Sequence, residues 1–377
     1  MKCPYLTPLS FFHNSAILSK ISKLQFISSK EPRALARGIQ GCFFMKALVT
    51  GGGGFLGRVI VEKLLKRGES VRVLGRRKYP FLEEQGVEIV TGDVRNFEVV
   101  ETAVKDVDTV FHVASMTGIW GKWKDFFETN VTGTENILKA SKKNGVSKLV
   151  YTSTPSVIYG GGESFENVDE TIPYPKKYNC YYPATKAIAE KMVLAENGKD
   201  GLLTVSLRPH LIWGPMDTNL IPRLIERAKS GRLIRVGDGK NLVDIIYIDN
   251  AAHAHLLAVD RLKKGSSVCG QAYFISQGEP VILWDWINHV LFSLKLPPVK
   301  KNISYRTAYL LGQLFEFFYA TFHITSEPMM TRFLASQLAK SHFFNIEKAK
   351  KDLGYSPLVS HKKGLEQMIK YFSALER

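Results

Sequence analysis

Val49-Thr50-Gly51-Gly52-Gly53-Gly54-Phe55-Leu56-Gly57 is the stretch that decides the fold. Lys46 to Thr50 reads as a short buried strand, and from Phe55 onward Leu56, Val59, Ile60, Leu64 and Leu65 recur at helical spacing. Gly51, Gly54 and Gly57 stand three apart between the two. A tight strand-to-helix turn leaves the first helical N–H groups without partners, and the helix dipole favours an anion there. Glycine permits the dihedrals of such a turn and lets a pyrophosphate approach the backbone. The pattern predicts a dinucleotide-binding turn, with Thr50, Gly51, Gly54, Phe55, Leu56 and Gly57 against the cofactor.

Outward from this turn, strands and helices alternate. Ser70 to Leu74 reads as a second strand and runs into Gly75-Arg76-Arg77. An acid at that place binds ribose hydroxyls, whereas arginine suits a 2′-phosphate. With no acid present, Arg76 and Arg77 favour NADP(H) over NAD(H); the plainer reading is a solvated turn. Val87 to Thr91 is a third strand, followed by Asp93 and Val94, where Asp93 either caps the next helix or meets the adenine. Thr109 to Ala114 is a fourth, placing Val113 and Ala114 beside the cofactor. It opens into an apolar loop, Ser115 to Gly121, which at the carboxyl end of a parallel strand faces the ligand crevice. A long helical pattern from Phe126 to Lys142 carries Asn130.

Lys148 to Thr152 is a fifth strand and feeds Ser153-Thr154-Pro155-Ser156. Tyr182-Pro183-Ala184-Thr185-Lys186 then opens a helix, and a spacing of four puts Tyr182 and Lys186 on one face. An ammonium beside a phenol lowers its pKa towards the working range of an acid–base catalyst, and a hydroxyl at Thr154 can hold the oxygen that exchanges the proton. Leu202 to Leu207 is a sixth strand, closed by Arg208-Pro209-His210. Repeated strand–helix–strand units predict a doubly wound parallel α/β sheet.

Past Pro215 the pattern is less regular. Helices are expected over Ile221 to Ser230, from an Asp249 cap to Val259, and over Trp284 to Leu294. Strands are expected at Asp244 to Ile248 and Ala272 to Ser276. Tyr305 to His323 is rich in large apolar residues but is interrupted by Gln313 and Glu316, short of a membrane span. It reads as a buried or substrate-lining amphipathic helix, with an in-plane membrane contact as the other reading. Asn345 to Tyr355 reads as a capped helix with a glycine stop that ends the fold.

The chain of 377 residues has 51 Lys and Arg against 35 Asp and Glu, a net charge of +16. That balance suits phosphate-bearing ligands or an anionic membrane face. With no nucleic-acid motif and no basic-aromatic stripe, nucleic acid is not an expected partner. Cys3, Cys42, Cys180 and Cys269 are scattered, so neither a metal site nor a disulfide framework is expected. Residues 1–44 carry Lys2, Lys20, Lys23, Lys30, Arg33 and Arg37 against the single acid Glu31. They read as an organelle-targeting leader or as an extension upstream of a start at Met45, and lie outside the fold. The organisation expected is residues 45–215 as a dinucleotide-binding domain, with some later segments returning to it. Residues 216–377 then form a smaller, mainly substrate-binding α/β part. The place of work is cytoplasmic, with membrane association or organelle targeting left open.

Together these residues resemble the extended short-chain dehydrogenase/reductase family. The carrying motifs are Thr50-Gly51-x-x-Gly54-x-x-Gly57, Asp93-Val94, His112-Val113-Ala114, Asn130-Val131-x-Gly133-Thr134, Tyr151-Thr152-Ser153-Thr154, Tyr182-x-x-x-Lys186 and Arg208-Pro209, spanning the chain from about Met45 to the C-terminus. Within it, the Phe-His-Val-Ala strand end, Arg208-Pro209-His210 and Asn345 to Pro357 resemble the 3β-hydroxysteroid dehydrogenase branch. The Ser115 to Gly121 loop, Thr154-Pro155-Ser156 and Gly75-Arg76-Arg77 are similar to bacterial 2-alkyl-3-oxoalkanoate reductases of long-chain olefin synthesis. The resemblance implies a Rossmann fold with Tyr182 as general acid/base, Lys186 lowering its pKa and holding the nicotinamide ribose, and Asn130 supporting a proton relay. Thr154 stands in place of the usual serine, with Ser153 and Ser156 as other sources of the hydroxyl, and Pro209 adjoins the cofactor. Pro155-Ser156, where dehydratases carry acids, counts against dehydration.

The expected activity is hydride exchange between NAD(P)(H) and a secondary alcohol or ketone on a bulky lipophilic substrate, a sterol or a 2-alkyl-3-oxo acid. A nucleotide-sugar epimerase is the second enzymatic reading, and a silent NADP(H)-binding regulator is the alternative from another class. A homodimer and peripheral membrane contact through the apolar C-terminal region are the partner expectations beyond the substrate.

Overall fold

Alternating side chains along one strand set up two cores. The computed structural model describes residues 45–375, and the leader reading of residues 1–44 lies outside them. β1 (Lys46–Thr50) sends Ala47 and Val49 into one apolar cluster and Leu48 into another, as the period of two requires. β1 pairs in parallel with β2 (Ser70–Gly75), and β2 with β3 (Glu88–Thr91). On its other side lies β4 (Thr109–His112), followed by β5 (Lys148–Thr152), β6 (Leu203–Pro209) and β7 (Gln271–Ile275). The seven-stranded order is β7-β6-β5-β4-β1-β2-β3, with every pair parallel. This is a doubly wound Rossmann-type sheet, buried on both faces by helices. Its strand order reverses between β1 and β4, and the carboxyl ends there form the crevice in which such sheets hold ligands.

A second, four-stranded sheet is ordered Val281–Ile282, Leu242–Val243, His342–Phe344 and Phe165–Val168. The single strand read over Asp244 to Ile248 is divided between Leu242–Val243 and Ile246–Tyr247, with Asp244 buried between them. The next helix begins at Ile248, so Asp249 lies in its first turn and does not cap it. Its carboxylate is held by Lys63 at 2.8 Å. Gly354 does stop the Glu347–Leu353 helix in the left-handed region, at φ 70°, but the fold continues into a further helix, His361–Leu375.

The helix read over Phe126 to Lys142 is three pieces: Trp123–Phe127, a π-helical turn at Glu128–Thr132, and Gly133–Lys143. Such turns insert one extra residue and gather at functional sites. Tyr305–Thr321 is a single helix, but it is not buried: only Ala308 and Gly312 are fully covered. Among the described residues no helix is long and apolar enough to cross a membrane.

Candidate active site

The glycine turn is built to keep side chains out. Gly51 has φ 67°, and a Cβ there would lie 3.1 Å from the Ala114 backbone. A Cβ on Gly57 would come within 2.3 Å of the Gly51 carbonyl oxygen, so only glycine lets the helix start this close to the strand. The Phe55–Lys66 helix has no side-chain cap and no acid in its first turn. Its amide end therefore remains available to an anion, and the cradle fits a dinucleotide pyrophosphate.

Thr50 ties this turn to the next strand. Its hydroxyl oxygen accepts from the amides of Val113 (3.1 Å) and Ala114 (3.0 Å), so its proton goes to His112 Nδ1 at 2.8 Å. His112 is then the tautomer that donates from Nε2 to Thr134 (3.0 Å), and Thr134 donates to the Asn130 carbonyl (2.6 Å). Burial, with Lys186 adding to it, pushes the His112 pKa down to about 3, so the ring stays neutral. Asn130 carries the chain onward. Its Oδ1 accepts from Met116 N (2.7 Å), while Nδ2 donates to Met116 O and Thr185 Oγ1, both at 3.0 Å. Thr185 donates in turn to the carbonyls of Tyr181 and Tyr182. One hydrogen-bonded path thus links the glycine turn, the Ser115 to Gly121 loop and the helix bearing Tyr182.

Tyr182 and Lys186 lie in the Tyr181–Ala195 helix. Burial pushes the Tyr182 phenol up to about 12, and the facing Thr154 hydroxyl works the other way. The lowering of this phenol expected from Lys186 is not met. The Lys186 ammonium donates to the Thr152 carbonyl at 2.6 Å and sits 4.1 Å above the Tyr151 ring. Burial brings its own pKa down to about 7, with Glu190 pulling it back up. Thr154 Oγ1 pairs with Ser156 Oγ at 2.9 Å, whereas Ser153 is buried and turned towards Glu190. Of the three hydroxyls, Thr154 is the one that faces Tyr182.

Glu190 escaped the sequence reading although it lies four residues beyond Lys186 on the same helix. It is fully buried and accepts from Arg208 Nη2 (2.6 Å), Ser206 Oγ (2.7 Å) and Tyr174 OH (2.6 Å). Burial alone would raise its pKa, but the Arg208 charge and these bonds hold the carboxylate below its ordinary range. The pair fixes the end of β6, where Pro209 is buried. Leu211, two residues on, takes a positive φ of 44°, strained for a residue with a Cβ. Asp93 is engaged by Arg95 through Nε at 3.0 Å and Nη2 at 2.9 Å, and Val94 is buried.

Beside the Ser115 to Gly121 loop lies a cavity of about 400 Å³, walled by Ile119, Leu220, Leu224, Ile287, Leu311 and Phe315 and holding Arg223, Arg227 and Arg232 on its lining. Glu327 bonds Arg223 and lies 3.8 Å from Arg227. Burial, then the neighbouring Arg223, holds the Arg227 guanidinium below its ordinary range. Trp120 Nε1 donates to the Ile324 carbonyl at 3.0 Å and fastens the loop to the segment after the Tyr305–Thr321 helix. Among the described residues no group of three or more His, Cys, Asp or Glu could hold a metal ion.

Residues 48–304 match the 3-beta hydroxysteroid dehydrogenase/isomerase family. A 2-alkyl-3-oxoalkanoate reductase of Stenotrophomonas maltophilia is 46% identical over 325 residues, spanning 86% of this chain and 98% of the relative. A 3-beta-hydroxysteroid dehydrogenase of Mycolicibacterium neoaurum is 35% identical over 340 residues, spanning 88% and 92%. Among solved structures, the UDP-glucose 4-epimerase of Thermus thermophilus in complex with NAD has a TM-score of 0.66 at 27% identity, covering 87% of this chain and 99% of that one.

That complex holds NAD, as do further solved structures of the same fold, and the preference for NADP(H) drawn from Arg76 and Arg77 is corrected accordingly. Both arginines are exposed on the bend after β2. The Tyr79 ring covers Gly53 and Gly75, where added Cβ atoms would come within 2.0 Å and 2.7 Å of it. It fills the space between the turn and the end of β2, and the arginines form a solvated turn. The matched profile, the two curated relatives and the parallel sheet agree: the chain belongs to the 3-beta hydroxysteroid dehydrogenase/isomerase family of extended short-chain dehydrogenases/reductases and is an NAD(P)-dependent oxidoreductase acting on CH–OH groups.

Proposed function

We propose that this enzyme uses NAD(H) to interconvert the ketone and secondary alcohol of a 2-alkyl-3-oxo acid. The observation that carries the reading is the cavity beside the loop, apolar over most of its wall yet holding Arg223, Arg227 and Arg232. Hydrocarbon chains suit the apolar wall, and a carboxylate relieves the crowded guanidinium charge on Arg227. The three arginines share Glu327 and, at Arg232, Glu226, and a neutral sterol adds no further carboxylate to them.

The amide end of the Phe55–Lys66 helix and the Gly51, Gly54 and Gly57 backbone would hold the cofactor pyrophosphate, and Lys186 the nicotinamide ribose. Bound NADH supplies the hydride that the carbonyl carbon takes. Tyr182 donates its phenolic proton to the carbonyl oxygen, and Thr154 donates a hydrogen bond to the same oxygen. A pKa near 12 keeps the phenol protonated and ready to donate. Asn130 acts by positioning, because both amide protons and the carbonyl oxygen are spent on Met116 and Thr185. A homodimer belongs to the same reading. Trp123, Tyr181 and Ile188 are exposed large side chains on adjoining helices, and sedimentation measures whether they pair two copies.

Nicotinamide absorbance with a panel of 2-alkyl-3-oxo acids, their methyl esters, 3β-hydroxysteroids and nucleotide sugars tests the reading. The acids should be the best substrates, the esters much poorer, and Tyr182→Phe should abolish turnover while leaving NADH binding near normal. Turnover of steroids with none of the acids would overturn the substrate assignment, and an unchanged rate in Tyr182→Phe the mechanism.

A further inference from the structure

Two arginines of the cavity stand on one helix face, and a carboxylate of the chain itself is already seated against them. Leu220, Arg223, Leu224 and Arg227 recur at spacings of three and four along the Leu220–Lys229 helix, so one face turns both cations and apolar side chains to the cavity. Buried Asp217 fixes the start of that helix by accepting from the amides of Asn219 (2.7 Å), Leu220 (3.1 Å) and Ile221 (3.0 Å). Glu327 Oε1 accepts from Arg223 Nη2 and lies 3.8 Å from Arg227, beyond hydrogen-bond reach. Two cations therefore share one carboxylate oxygen, and only Arg223 is bonded to it.

Glu327 belongs to residues 322–331, a strap without regular structure between the Tyr305–Thr321 and Arg332–Ala339 helices. The strap turns back at His323, φ 53°, and meets the site at three points. The Ile324 carbonyl accepts from Trp120 Nε1, Glu327 holds Arg223, and Met329 and Met330 line the cavity. The charge of Glu327 also reaches the start of the Tyr182 helix. Burial pushes the Cys180 thiol up to about 12, and Glu316 and Glu327 add to that push.

We infer that Glu327 is the resident occupant of a carboxylate subsite made by Arg223 and Arg227. An incoming acid takes the two arginines from it, and the strap comes free at that point. The inference rests on the reading of the substrate as an acid. Two guanidiniums side by side offer a carboxylate a two-pronged hold that Glu327, bonded to one of them, does not make. The exchange replaces one carboxylate by another, so the charge at the arginines is unchanged. The displaced Glu327 side chain, already 32% exposed, has water to turn to. A neutral molecule has nothing to exchange and leaves the strap latched, so Glu327 sets the preference for acids.

Decanoate and 1-decanol serve as probes, because their binding needs neither cofactor nor turnover. Calorimetry compares them on the wild type and on Glu327→Gln, while hydrogen exchange read by mass spectrometry follows residues 322–331. Decanoate should bind the wild type and speed exchange in the strap, the reverse of the protection that simple binding gives; 1-decanol should leave it as it is. Glu327→Gln should show the faster exchange without ligand and bind decanoate at least about 3-fold more tightly, the worth of one partly exposed ion pair. Its affinity for 1-decanol should be unchanged, which checks its folding, and the wild-type measurements decide the matter by themselves if it does not fold. Decanoate that fails to bind, that slows strap exchange, or that binds Glu327→Gln no better than wild type would overturn the inference. The substrate reading fails separately: if steroids are turned over and 2-alkyl-3-oxo acids are not, while decanoate still frees the strap, the latch stands and only the substrate assignment falls.

Discussion

Replacing Glu190 by glutamine keeps the shape of the side chain and removes its charge, leaving Arg208 as a cation in the interior. Glu190 is fully buried and Arg208 3% exposed. Breaking a buried ion pair from one side costs about 3–5 kcal/mol, because the remaining charge is neither solvated nor paired. For a chain of this size that corresponds to a fall in melting temperature of about 4–6 °C. Thermal unfolding followed by circular dichroism at neutral pH, without added nucleotide, measures it. Arg208→Met alone should cost a similar amount by stranding the carboxylate. The double variant Glu190→Gln/Arg208→Met should recover part of the loss, with a coupling of about 2 kcal/mol or more. A melting temperature within about 1 °C of wild type for Glu190→Gln, or strict additivity in the double variant, would refute the reasoning, since uncoupled residues show little interaction energy.

Two other perturbations probe the cofactor side. Gly57→Ala places a methyl group 2.3 Å from a backbone oxygen and should cost about 1–3 kcal/mol while weakening NADH binding about 10-fold or more. Gly53→Ala meets only the Tyr79 ring, which can turn aside, so it should weaken binding less, and the reverse order in a fluorescence titration would contradict the geometry. For Lys186 the folded pKa of about 7 lies below the ordinary lysine value, so between about pH 7 and 10.4 the unfolded chain binds more protons than the folded one. Stability due to this residue therefore rises with pH across that window, by up to about 1.4 kcal/mol per unit. Lys186→Met should be most stabilising below pH 7 and lose its advantage as the pH rises; parallel melting-temperature curves would remove the argument.

Much of the site was legible because its parts lie next to one another in sequence or one helical turn apart. The glycine turn announces itself between a strand and a helix, and Tyr182 and Lys186 share a helix face by spacing alone. What escaped depended on burial and on distant partners. Glu190 looks like any helix-surface acid until Arg208, 18 residues on, folds against it. The upward push on the Tyr182 phenol and the turning of Lys186 onto Thr152 and Tyr151 follow from the dry interior, which spacing does not encode. Arg76 and Arg77 misled because the usual rule considers charge at that position, whereas here the Tyr79 ring occupies the space beside them. The Tyr305–Thr321 helix reads as buried or substrate-lining because its residues are large and apolar. Gly312 and Glu316, its small and polar members, hold it to the protein instead, and only Leu311 and Phe315 reach the cavity.

The π-helical turn at Glu128–Thr132 has a genetic consequence. Its extra residue swings Asn130 into line with Met116, so the height of the substrate loop is set by residue count as well as by residue type. Loss of a single codon within this turn would relax it to an ordinary α-helix, leaving Trp123–Phe127 and Gly133–Lys143 in phase and moving the residues of the turn itself. Asn130 would leave Met116, and the loop would lose its tether while Tyr182, Lys186 and the glycine turn stayed in place. Substitutions tune this loop in small steps, whereas a one-codon deletion frees it at once. A one-residue change of length at this turn therefore acts on the loop that borders the cavity without touching Tyr182, Lys186 or the glycine turn.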